Sequence, residues 1–174
     1  MFDKGWYSAA THLQSPNFNK RPDVTDISLA VIHCISLPNG DYNNSNVEDF
    51  FQNKLDIPTH ESFASISEVM VSAHFFIKRS GKVVQFVSVD DRAWHAGKSN
   101  FDGREACNDF SIGIELQGNE IDEFKEKQYT ALNTLLVELK ETYPTLRNIT
   151  GHEDIAPGRK TDPGPTFEWN KVIF

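Results

Sequence analysis

Sulfur is scarce in this chain: two cysteines, Cys34 and Cys107, and two methionines occur among 174 residues. Two cysteines cannot build the disulfide framework of a small secreted scaffold. In a reducing compartment they are expected as free, partly buried thiols. Positive charge is also in deficit, with 17 Lys and Arg against 25 Asp and Glu and a formal net charge of -8. Phosphate is repelled by such a surface, which argues against a nucleic-acid binder. The short basic clusters Lys78–Arg79 and Arg159–Lys160 could serve as local anion contacts, but read first as solvated surface. No apolar run approaches a membrane span, and the first residues, Met-Phe-Asp-Lys-Gly-Trp-Tyr, lack the apolar core of a secretory signal. A cytoplasmic location with no membrane partner is expected. Internal repeats, low-complexity segments and a His-Glu-x-x-His signature are missing too.

What is present suits one domain. Hydrophobic residues make up 39% and charged residues 24%, as in a soluble globular protein long enough for a substantial core. A single domain over residues 1–174 and a monomer are expected, with residues 1–25 as an ordered extended arm. Trp6, Tyr7 and Phe18 anchor that arm, and Ser15-Pro16-Asn17 and Arg21-Pro22 turn it.

The apolarity of Ile27 to Ile35 is nearly continuous, which suits a central strand covered on both faces, with His33 at its C-terminal end just before Pro38-Asn39-Gly40. Val47, Phe50, Phe51 and Leu55 recur at helical spacing with Ser45 or Asn46 as cap, and a short helix is expected near Ser62–Glu68. Val71 to Val89 reads as a hairpin turning at Arg79-Ser80-Gly81-Lys82. Asp90 to Asn108 loses the pattern and is expected as a long loop carrying Arg92-Ala93-Trp94-His95-Ala96-Gly97. From Phe110 to Gln117 the residues alternate: Phe110, Ile112, Ile114 and Leu116 toward the core, Ser111, Gly113, Glu115 and Gln117 on a polar face like a cleft floor. Asp122 to Thr142 is a long helix with Asp122 as cap and Pro144 as stop. Gly151 to Pro165 holds Pro157, Gly158, Pro163, Gly164 and Pro165, so no regular element is expected there. The order predicts an α/β domain with a mixed central β-sheet flanked by helices.

Chemistry concentrates in a few residues. His33 ends an apolar strand, while His152 and Asp162 sit in the broken C-terminal loop. Two imidazoles and one carboxylate leave a fourth tetrahedral position for water, as in catalytic rather than structural zinc. Glu115 on the polar face of an apolar strand is costly unless paired or near water, and fits a general base. Lys160 fits an oxyanion donor. Together they favour metal-assisted hydrolysis.

These residues lie in stretches that resemble the zinc-dependent N-acetylmuramoyl-L-alanine amidases, relatives of peptidoglycan recognition proteins and phage T7 lysozyme. The matching stretches are Ser15–Phe18, Arg21–Asp23, Val31–His33, Ile35–Pro38, Val71–His74, Arg92–Gly97, Cys107–Leu116 and Gly151–Pro165. Within the family the likeness is to the cytoplasmic 1,6-anhydro-N-acetylmuramyl-L-alanine amidases of peptidoglycan recycling. The resemblance implies one zinc ion on His33, His152 and Asp162, with Glu115 and Lys160 catalytic. It implies a soluble muropeptide substrate cut between the anhydromuramic lactyl group and L-alanine. The residues leave open whether Glu115 or Asp162 shuttles the proton. Trp94 and His95 are expected to line the groove, with Arg104 as a cation for the stem peptide. Departures fall at Met70 and Ala106, where the family pattern has arginines suited to a diaminopimelate carboxylate, and at Cys34 in place of an asparagine.

Overall fold

The N-terminal arm is more regular than its turn residues suggest. The computed structural model describes residues 1–174, and four short strands lie in the arm: β1 (Phe2–Asp3), β2 (Trp6–Tyr7), β3 (Thr11–His12) and β4 (Phe18–Lys20). The chain continues through β5 (Leu29–Ile35), α1 (Asn46–Phe51), β6 (Phe75–Ile77), β7 (Val83–Gln85), β8 (Asp91–Ala93), β9 (Asn100–Phe101), β10 (Arg104–Glu105) and β11 (Ser111–Gln117). It closes with α2 (Glu126–Thr142), β12 (Asn148–Gly151) and α3 (His152–Ile155), and short 3-10 turns lie between several of these elements.

Six strands form the mixed central sheet in the order β12-β5-β11-β6-β7-β3. β5 and β11 run parallel through seven paired residues, β12 and β6 join them in parallel, and the β6–β7 hairpin is antiparallel. Because side chains alternate along a strand, Ala30, Ile32, Ile112, Ile114 and Leu116 face α2, where Leu132, Leu135, Leu136 and Leu139 cover them. Burial of each such leucine contributes about 1.5–3 kcal/mol relative to exposure. The opposite face meets a second core around Phe50, Phe51, Phe76 and Phe86, and a third around Leu29, Val31, Cys107, Phe110 and Ile155.

Several expectations need correction. The polar face of β11 is not an open cleft floor, since all seven of its residues are buried. The segment 90–108 is not structureless: β8 pairs with β4 of the arm, and β9 with β10 forms a small hairpin. α2 starts at Glu126 rather than Asp122, whose carboxylate instead accepts hydrogen bonds from Tyr42 (2.6 Å) and Asn119 (3.0 Å). Ser45 stands at the start of α1 but donates to Asp49 rather than capping. The proline-rich tail begins with one regular turn, α3, because its first breaker, Pro157, comes after Ile155. The edge strand β12 has no clear period in its sequence and escaped the sequence reading. Cys34 and Cys107 are free thiols, as expected.

Candidate metal centre and active site

Strand register delivers most of the site. Glu115 on β11 is the Cα partner of His33 on β5, and β12 ends with Gly151 opposite Ile32. One residue further along come His33 on β5 and His152, the first residue of α3, side by side near the C-terminal ends of parallel strands. Asp162 arrives by the loop, whose backbone is tied back where the Asp162 carbonyl accepts the Glu153 N–H at 2.9 Å. Gly151 allows Pro163 to close on it, because a Cβ there would lie 3.0 Å from Pro163 Cδ.

The result is a near-equilateral triangle of donor atoms. His33 Nδ1 and His152 Nδ1 lie 2.9 Å apart, and Asp162 Oδ2 is 3.0 Å from the first and 3.1 Å from the second. Both histidines are buried and Asp162 is partly buried. Atoms so spaced can all reach one ion at the ~2.0–2.2 Å of zinc–nitrogen and zinc–oxygen bonds, and the donor set is that of catalytic zinc. The group can hold a metal ion. Burial lowers the His33 pKa to about 4, against the partial opposition of Asp162, so this imidazole is neutral and able to ligate. Burial pushes the Asp162 carboxyl up, but the imidazoles of His152 and His33 outweigh it and hold the group well below the usual carboxylate range.

Beside the triangle opens a cavity of about 280 Å³ lined by His33, His152, Asp162, Glu115 and Lys160. Glu115 is 9% exposed, and its buried Oε2 has no hydrogen-bond partner. Burial, and then the charge of Asp162, raise its pKa well above the ordinary value; Lys160 opposes the rise. A buried carboxyl with a raised pKa beside a cavity is suited to general acid–base work. The other wall is apolar, formed by Phe50, Phe51, Ile66, Val69 and Val71. Nothing in the sequence marks this wall as part of the site, because Phe50 and Phe51 read as the core face of a helix and Val71 as the start of a hairpin.

The expected substrate contacts divide. His95 lines the cavity, but its ring is committed to protein: Nδ1 lies 3.0 Å from His33 Nε2 and Nε2 lies 3.1 Å from Ser111 Oγ. Burial first, then His33 and His74, hold its pKa well below the ordinary value. Trp94 is not in the cavity lining; its indole N–H donates to Asn19 Oδ1 at 2.7 Å, on the arm. Arg104 stands on the β9–β10 hairpin, paired with Asp26 at 2.6 Å and stacked 3.7 Å over Phe110. It does not reach the cavity lining. The structure also brings in residues that sequence reasoning gave no role. Arg21, whose pKa burial lowers to about 10, donates to the carbonyls of Val89, Asn108, Asp109 and Ser111 and so braces the site strand from behind. The only signal in the sequence is Arg21 within the matching stretch Arg21–Asp23, since its burial shows only in the fold.

The family model described as N-acetylmuramoyl-L-alanine amidase matches residues 23–165. The chain belongs to the N-acetylmuramoyl-L-alanine amidase family. The amidase is 49% identical over 173 residues to the 1,6-anhydro-N-acetylmuramyl-L-alanine amidase AmpD of Haemophilus influenzae, covering 98% of this chain and 94% of that one. A crystal structure of a selenomethionine derivative of AmpD superposes with a TM-score of 0.96 at 45% identity, covering 98% and 96% of the two chains. The amidase AmiD of E. coli, solved with anhydro-N-acetylmuramic acid-L-Ala-D-γ-Glu-L-Lys, gives 0.62 at 29% identity, over 84% of this chain and 56% of that one. An Apis mellifera peptidoglycan recognition protein, with a TM-score of 0.61 at 18% identity over 89% of each chain, shares the fold alone. The mixed-sheet amidase fold expected from the sequence is the one observed.

Proposed function

We propose that this amidase hydrolyses the amide joining 1,6-anhydro-N-acetylmuramic acid to the L-alanine of soluble muropeptides, with one zinc ion on His33, His152 and Asp162. One observation carries the reading: an open His–His–Asp donor triangle and a buried carboxyl without a hydrogen-bond partner share one cavity. Near-full-length likeness to AmpD and the ligand of AmiD support the substrate class. Residues 1–174 act as one domain and one monomeric enzyme, working in the cytoplasm on fragments returned for recycling.

Zinc bound there supplies Lewis acidity toward a carbonyl and lowers the pKa of water toward about 7. Glu115 accepts the proton of the attacking water and delivers it to the leaving L-alanyl amine. The raised pKa of Glu115, set by burial and then by Asp162, suits both halves of that transfer. Lys160, exposed on the loop at the cavity rim, donates to the oxygen on which negative charge develops. The apolar wall of Phe50, Val69 and Val71 keeps bulk water from that side.

Mass spectrometry of an anhydromuropeptide digest tests the reading. Release of anhydro-N-acetylmuramic acid and intact stem peptide is expected. Cleavage at another bond, or a strong preference for polymeric sacculi over the soluble fragment, would overturn it.

A further inference from the structure

The two imidazoles of the triangle turn their outer nitrogens onto consecutive residues of one loop. His33 Nε2 lies 3.0 Å from His95 Nδ1, and His152 Nε2 lies 3.2 Å from the carbonyl oxygen of Ala96. A single side chain holds that dipeptide in place: Asn108 Oδ1 accepts the N–H of His95 at 3.1 Å and of Ala96 at 2.8 Å. Asn108 is itself buried. From the catalytic loop, Arg159 donates to the same Ala96 carbonyl at 2.8 Å. The His95 ring lies directly on Gly113, where a Cβ would stand only 2.4 Å from His95 Cγ, and reaches Ser111 Oγ at 3.1 Å.

Tautomers follow from these partners. A neutral imidazole has one donor and one acceptor nitrogen, and a carbonyl only accepts. His152 therefore carries its proton on Nε2, which leaves the Nδ1 lone pair aimed into the triangle. His33 presents Nδ1 to the same triangle, so its proton sits on Nε2 and needs an acceptor. His95 Nδ1 is that acceptor, which places the His95 proton on Nε2, toward Ser111. One assignment thus gives each outer nitrogen a partner and turns both inner lone pairs toward the ion site.

We infer that His95 and Asn108 are positioning residues of the metal centre. Through the His95–Ala96 dipeptide they fix the tautomer and orientation of both ligand histidines, and so set the affinity for the ion. This rests on the metal reading above. Partners of this outer kind are typically worth 10–100-fold in metal affinity.

The test is zinc affinity, measured by competition with a chromophoric chelator on the full-length parent, His95→Phe, Asn108→Leu and Asn108→Asp. The first two should bind zinc about 10–100-fold more weakly while their metal-free forms keep the parental near-ultraviolet circular dichroism. Asn108→Asp, which keeps an oxygen to accept both N–H groups, should stay near the parent. Parental affinity in His95→Phe and Asn108→Leu would overturn the inference alone. A parent that binds no zinc would overturn the metal reading and this inference with it. Should a variant fail to fold, the zinc-loaded parent decides: proton–nitrogen correlation spectra should show His33, His95 and His152 all protonated on Nε2, and a His95 protonated on Nδ1 would overturn the inference.

Discussion

His33 and Glu115 are Cα partners on adjacent parallel strands, β5 and β11. The pleat sends both side chains to the same face of the sheet, so the spacing between a candidate ligand and a candidate base is held by backbone hydrogen bonds rather than by a loop. Sites built on regular elements keep their geometry better than sites on loops. Only Asp162 and Lys160 depend on the C-terminal loop, and the Glu153–Asp162 backbone bond ties that loop to the start of α3.

Separate roles for ligand and base predict separable losses. Glu115→Gln should keep the parental zinc content and lose about 10²–10⁴-fold in kcat. Asp162→Ala should lose zinc and activity together. Metal analysis beside kinetics on purified variants checks both; a Glu115→Gln enzyme turning over at the parental rate would remove Glu115 from the mechanism.

Buried titratable groups predict opposing pH effects on the stability of the metal-free protein. Burial lowers His33 to about 4 and holds His74 and His95 well below the usual 6.5. The folded state therefore binds fewer protons, and the stability these groups contribute above 6.5 is lost as pH falls toward about 4. Glu115 has the opposite sign. Its folded pKa is raised above the ordinary 4.5, so its contribution is full below that value and is lost as pH rises through the folded pKa. Denaturant unfolding across pH should show Glu115→Gln gaining on the parent as pH rises. A difference independent of pH would contradict the raised pKa.

The arm should matter to the site through Asn17. This buried side-chain amide donates to Val71 O at 2.8 Å and Asn53 Oδ1 at 2.7 Å, and its Oδ1 accepts from Asn53 Nδ2 at 3.0 Å. Val71 lines the cavity. Asn17→Ala should cost about 1–3 kcal/mol by stranding those partners, and should raise KM more than it lowers kcat.

Arg104 offers the reverse case. Its partners, Asp26 and Phe110, lie outside the cavity lining. Arg104→Ala should leave kcat/KM for a muropeptide at the parental value and cost about 0–1 kcal/mol, as exposed ion pairs do. A large rise in KM would return this arginine to the substrate site.

The sequence made the long-period elements legible. β5, the β6–β7 hairpin, β11 and α2 announce themselves by apolar runs, alternation or helical spacing. His33, His152, Asp162 and Glu115 stood out because each is a reactive group at the edge of an apolar or broken stretch. What stayed hidden depends on partners far away in the chain. β12 is four residues long and gains its identity only by pairing with β5. The polar face of β11 reads as open, but His95 folds over Gly113 and covers it. His95 reads as groove lining until its ring nitrogens are seen to be taken by His33 and Ser111. The Ala96 carbonyl that orients His152 leaves no trace in a string of side chains.

The most direct test of the account is the metal dependence of cleavage. Metal-free enzyme, with zinc content confirmed by elemental analysis, would be given a purified anhydromuropeptide and followed by mass spectrometry during stepwise zinc addition. No release of stem peptide is expected without metal and full recovery at one zinc per chain, with no recovery in Asp162→Ala. Undiminished cleavage by the metal-free enzyme would contradict this expectation.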